Sequence, residues 1–96
     1  MKDNLEQIFI VLGKAVVATG HERYPAGEKH GVLAYAKATS HNEAEAITMQ
    51  QLDKVRWVYF QAEKIGIVDP AHIGDRNILD CLDIDGFHLS IYSKME

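Results

Sequence analysis

The sequence predicts an α+β domain of the order β-β-α-β-β, a four-stranded, mainly antiparallel sheet packed on one face by a single long helix. Three observations carry that expectation. Two β-rich runs precede a capped helical segment, the helical segment lacks Gly or Pro until Gly66, and Asp85-Gly86 separates two further apolar runs. The size of the chain, 96 residues, suits one domain over 1–96 with one pair of packed layers.

The elements follow in order. Ile8-Phe9-Ile10-Val11-Leu12 and Ala15-Val16-Val17-Ala18 read as one strand with a bulge at Gly13, because a buried strand can be apolar on both faces. A helix over the same residues, capped by Asn4 and aligning Leu5, Ile8, Phe9, Leu12 and Val16, is the alternative, and it would turn Ile10, Val11 and Val17 outward. Gly20 to Gly31 is a loop of glycine, proline and charge. Val32 to Thr39 alternates, with Val32, Ala34, Ala36 and Ala38 on one face, and reads as the second strand of a hairpin.

The long helix is expected over about 42–65. Ser40 and Glu43 form the S-x-x-E capping pattern, and Gly66 and Pro70 supply the stop. On that helix Ala44, Ile47, Leu52, Val55, Val58, Tyr59, Ala62 and Ile65 make one apolar side. Ala46, Met49, Asp53, Trp57, Phe60 and Lys64 fall on the opposite side. One sheet can hide only one of these. Met49, Asp53, Trp57 and Phe60 are therefore the expected interface, for a homodimer or another protein. Competing explanations are a fold-back of Ile67–Ile73 or of the N-terminal residues over the stripe, and a kink near Thr48 or Asp53. After the connector, 77–84 reads as a third strand, Asp85-Gly86 as a hairpin turn and 87–93 as a fourth strand.

Hydrophobic residues make up 47% and charged residues 25%, as in an ordinary folded domain. The formal charge of −4 is uneven, since every surplus acid lies after Gly66. That distribution argues against direct nucleic-acid binding, which needs basic surface. It suits a basic protein partner, with Asp75, Asp80, Asp83 and Asp85 as the contact residues. Asp83-Ile-Asp85-Gly86 does not make an EF-hand, because Cys81 and Tyr92 fall where that loop needs its first and last ligands.

The five histidines lack metal-ligand spacing, and His21 with His30 across the loop base is the best remaining pair for a metal. No metal and no cofactor is expected. The single Cys81 excludes an internal disulfide and sits in an apolar run that reads as core. The N-terminal residues lack a signal-peptide pattern, and Ile8–Thr19 is too short to span a bilayer, so a cytoplasmic protein without membrane contact is expected.

No catalytic motif is present. The outline of the elements looks like that of small bacterial and phage modules such as antitoxins, toxin-immunity proteins and phage-borne inhibitors, on architecture alone. These readings converge on a small non-catalytic interaction module of inhibitor, immunity or antitoxin type. It would use the helix stripe and an acidic C-terminal hairpin. The alternative is a small dimeric α+β enzyme or ligand-binding domain. Its site would lie at the 20–31 loop, with His21, Arg23, Tyr24 and His30 and a contribution from His88. The small side chains of Val32, Ala34, Ala36 and Ala38 would leave room for the ligand or for a second sheet.

Overall fold

A computed structural model describes residues 6–95. The N-terminal stretch 1–5, where the absence of a signal pattern and the Asn4 cap were read, lies outside the described residues. Strand β1 (Gln7–Val17) and strand β2 (Lys29–Ala38) form the expected hairpin. Their register runs without interruption from Gln7 opposite Ala38 to Val16 opposite Lys29. The strand reading of residues 8–18 therefore holds over the helical alternative. Paired in the centre of the sheet, Ile10, Val11 and Val17 keep both β1 faces in use, which a helix would have denied them.

Helix α1 (His41–Lys54) begins as expected at Ser40. The Glu43 backbone N–H donates to Ser40 Oγ at 3.1 Å. The return contact lands one residue earlier than a standard capping box: Glu43 Oε1 accepts from the Thr39 backbone N–H at 2.6 Å and from Thr39 Oγ1 at 3.0 Å. The helix stops eleven residues before the expected end. Val55 caps it, Arg56 takes a left-handed φ of 68°, and strand β3 (Trp57–Val68) follows. The physical reason lies in composition and pairing. Trp-Val-Tyr-Phe favours a pleated surface, and β1 offers a ladder of nine residue pairs, backbone partners that an isolated helix end would lack.

The segment expected as a third strand is helix α2 (Arg76–Asp85), reached through a 3₁₀ turn at Pro70–His72. Ile78, Leu79 and Leu82 have helical spacing and together face the sheet. Asp75 caps the helix by accepting the Asn77 backbone N–H at 2.8 Å. Gly86 does use the positive φ that Asp-Gly implies, at 71°, but it closes a helix instead of a hairpin, donating its N–H to the Leu82 carbonyl at 3.0 Å. Strand β4 (Phe87–Met95) then completes the sheet where a last strand was expected. The order of elements is β-β-α-β-α-β.

The sheet is four-stranded and antiparallel throughout, in the order β3-β1-β2-β4. The hairpin is central and β3 and β4 are the edges. One face carries Phe9, Val11, Ala15 and Val17 of β1 with Val32, Ala34, Ala36 and Ala38 of β2, all buried. The small side chains expected to leave room for a ligand are covered instead by α1, whose Ala44 and Leu52 pack on them. Buried Thr48 lies on the same helix face and satisfies its hydroxyl by donating to the Ala44 carbonyl at 2.8 Å. On the opposite face α2 and Ile73 cover only the end near Ile8, Tyr35 and Val68. No helix among the described residues is long and apolar enough to cross a membrane.

The β1–β3 ladder is irregular at two places, between Leu12 and Gly13 and between Lys14 and Val16. The expected bulge at Gly13 thus exists, with the extra residue, Glu63, on β3. There the two strands approach so closely that a Cβ on Gly13 would overlap the Gln61 carbonyl oxygen and press on the Phe60 ring. Gly13→Ala is expected to lower stability by about 2 kcal/mol through overpacking. Gly66→Ala, where a Cβ meets open space, should change it by no more than about 0.5 kcal/mol. Urea unfolding of the two variants checks this contrast.

Candidate interaction surface

The second irregularity of β3 shapes the most exposed aromatic surface of the chain. Tyr59 has a φ of 54°, a left-handed conformation that is costly for an aromatic residue. It displaces the ring from the strand alternation and leaves Tyr59 81% exposed. The strand's neighbouring residues go the other way. Trp57 is only 3% exposed and sits in the core beside Ala15, Val17, Val32 and Leu52. Phe60 is half-buried and bridges this cluster to the one around Phe9 and Val11.

Between α1 and β3 lies a cleft of about 340 Å³ lined by Met49, Leu52, Asp53, Trp57, Val58, Tyr59 and Phe60. All four residues expected as the interface, Met49, Asp53, Trp57 and Phe60, line it. They do so for a different reason than helix periodicity. Met49 and Asp53 are exposed on α1, whereas Trp57 and Phe60 belong to a strand and form the apolar floor. The continuous stripe on one long helix does not exist, because the helix ends at Lys54. The competing explanation of a kink near Thr48 or Asp53 does not hold either, since no helix continues past Lys54 and 57–68 is a strand. Tyr59 was assigned to the sheet-facing side of the helix, and no sequence signal marks its positive φ. A second cleft, of about 390 Å³, lies on the other side of the same ring, with Lys14, Val16 and Lys29 in its wall.

The expected 20–31 loop is shorter, since Lys29, His30 and Gly31 already belong to β2, but loop and strand together gather the ring residues. His21, Tyr24 and His30 close around Trp57, with ring centroids 4.4 to 5.7 Å apart. Edge-to-face and tilted arrangements of this kind are favourable beyond burial alone. The ring nitrogens hold the loop in shape. His21 Nδ1 accepts the backbone N–H of Arg23 at 3.0 Å and of Tyr24 at 3.2 Å, so its tautomer carries the proton on Nε2. His30 Nε2 lies 3.0 Å from Glu28 Oε1. Arg23 stands apart from the rings. With His21, Glu22, Lys54 and Arg56 it lines a cleft of about 380 Å³ between the loop and the end of α1. Among the described residues Arg23, Lys54 and Arg56 take part in no ion pair. His88 is remote from this loop. It lies on the other sheet face, 6.4 Å from the Tyr35 ring, and its Nδ1 is buried without a hydrogen-bond partner among the described residues.

The acidic residues lie on and before α2, not on a hairpin. Asp75 is occupied as the cap. Asp80 pairs with Arg76 at 3.8 Å and Asp83 with Lys37 at 3.7 Å, both at exposed positions. Asp85 ends the helix beside Ile84, itself largely exposed. Cys81 is half-buried. Among the described residues no three His, Cys, Asp or Glu side chains converge on a common point for a metal ion.

Burial makes the Trp57 ring a structural residue first. Trp57→Ala is expected to cost about 3–5 kcal/mol and to loosen the 20–31 loop with it. Thermal unfolding, together with protease cleavage in the loop, measures both effects.

No protein-family model matches the chain, and neither does any curated protein or solved structure.

Proposed function

We propose that this chain is a non-catalytic protein-binding module whose contact surface is the cleft between α1 and β3, centred on Tyr59. One observation carries the reading: a tyrosine held out to solvent by a left-handed backbone, beside exposed Met49 and over an apolar floor. Backbone strain of about 1–3 kcal/mol persists where the surrounding structure imposes it, and it concentrates at functional positions. Tyrosine and methionine are also the residue types that supply contact area at interfaces. Asp53 at the rim adds a charged contact.

The acidic helix α2 supports a basic partner. Its ion pairs are long and solvent-exposed, so each holds its partner weakly and is readily exchanged for a cation on another protein. A small module that covers a basic surface by shape and charge would act as an inhibitor, immunity protein or antitoxin does, within the cytoplasm.

A second reading has its own observation. Three cations, Arg23, Lys54 and Arg56, without an ion pair among the described residues, share the cleft beside the loop with Glu22. They favour a small anionic ligand at the loop. Titration with inorganic phosphate, followed by NMR shifts of the Arg56 and His21 signals, tests it. Shifts confined to these residues favour the ligand reading, and unmoved signals at saturating phosphate reject it.

For the leading reading, Tyr59→Ala should weaken binding to a partner purified from the native host by tenfold or more, as an aromatic hot spot does. Asp80→Asn with Asp83→Asn should flatten the dependence of that affinity on salt. The circular dichroism and unfolding midpoint of the Tyr59 variant should stay close to the parent. Unchanged affinity for a folded Tyr59→Ala protein rejects the proposed surface.

A further inference from the structure

The sheet face opposite α1 has more apolar length than α2 can cover. Helix α2 links the end of β3 to the start of β4, the two edges of the sheet, so it crosses the strands at one end and packs there with Ile73 on Ile8, Tyr35 and Val68. Strand β1 has 11 residues and runs about 36 Å. Beyond the reach of α2 that face presents Ile10, Leu12 and Val16 of β1, Leu33 of β2 and Val58 of β3. All five are half-buried and none joins a buried cluster. Central strands that are apolar on both faces belong to sheets covered on both sides.

We propose that a second copy of this chain covers this strip, the two sheets stacked face to face about a two-fold axis lying across the strands. Two features of the single chain commit the strip to a copy of itself. The first is thickness. Stacked sheets lie about 10 Å apart and a helix with its side chains is about 10–12 Å wide. A partner sheet therefore occupies the same layer as α2 and continues it.

The second feature is charge. The uncovered end of the face carries Lys29 and Lys14, the latter paired with Glu63 at 3.3 Å, whereas the covered end carries Asp85 on α2 beside Asp80 and Asp83, which hold weak exposed pairs with Arg76 and Lys37. Lys29 is exposed and has no ion pair among the described residues. A two-fold axis across the strands reverses the strand direction. It brings the acidic helix of each copy beside the lysine end of the other, so both contacts form at once.

Val58 borders both this strip and the cleft at Tyr59, whereas Met49, Asp53 and Tyr59 lie outside the strip, so different substitutions test the two surfaces.

Light scattering and sedimentation of the full chain, from low to several hundred micromolar, test the proposal. The expected result is a concentration-dependent species of about 22 kDa, twice the chain mass of 10.8 kDa. Leu12→Asn should return it to a folded monomer. Lys29→Glu and Asp85→Lys lie at exposed positions outside the core and serve if the Leu12 variant does not fold. Each alone should weaken self-association at least tenfold, and mixing the two should restore a dimer. A single-copy mass over the whole range overturns the proposal. So does a dimer indifferent to Leu12→Asn. Loss of the dimer in Leu12→Asn, with no effect of either charge reversal, overturns the proposed axis.

Discussion

The antiparallel pairing of β1 with β3 is the constraint from which most of this structure follows. It takes Trp57–Val68 out of the helix that local pattern would have extended, and it thereby sets the length of α1. Because β1 is already paired on its other side with β2, the ladder completes the hydrogen bonding of a strand buried at the sheet centre. Burying that backbone unpaired would be costly, so the pairing outweighs a modest helical preference in the same residues. The ladder is also uneven. Its two irregularities absorb extra residues on β3, bend that edge and aim Tyr59 outward. Irregular edges of this kind discourage indiscriminate strand addition while leaving a shaped surface.

The same pairing explains the packing. Trp57 arrives at the far end of the α1 face, beside Leu52, and becomes the centre of a second cluster. Around it the loop between β1 and β2 folds down, with His21, Tyr24 and His30 as its contacts. A loop of charged and glycine residues thus has an ordered base. The histidines achieve this through ring packing and short-range hydrogen bonds to the backbone and to Glu28. The two ends of the molecule consequently differ in character: basic where the loop meets the end of α1, acidic where α2 meets the start of β1.

The two faces of the sheet differ as well. Alanines at 34, 36 and 38 let α1 sit close, which buries that face of the two central strands. The other face is built of larger side chains and receives a helix at one end only. A chain that invests β-branched and leucine residues on both sides of its central strand, yet covers one side only partly, has surface to offer to another molecule.

By itself the sequence determined the α+β class, the β1–β2 hairpin, the capped start of α1 at Ser40 and the last strand, because each is written in local signals that neighbours in the chain can read: alternation, a capping hydroxyl, a run of β-formers. It also singled out Met49, Asp53, Trp57 and Phe60 as sharing a surface, although by way of a helix that does not continue that far. Tertiary structure alone decided three things. It turned 57–68 into a strand, it turned Arg76–Asp85 into a helix despite an Asp-Gly pair that also suits a hairpin, and it exposed Tyr59 while hiding Trp57. The physical reason is common to all three. Short apolar runs fit a strand and a helix almost equally well, and the choice falls to whichever distant strand or face offers backbone partners and a core.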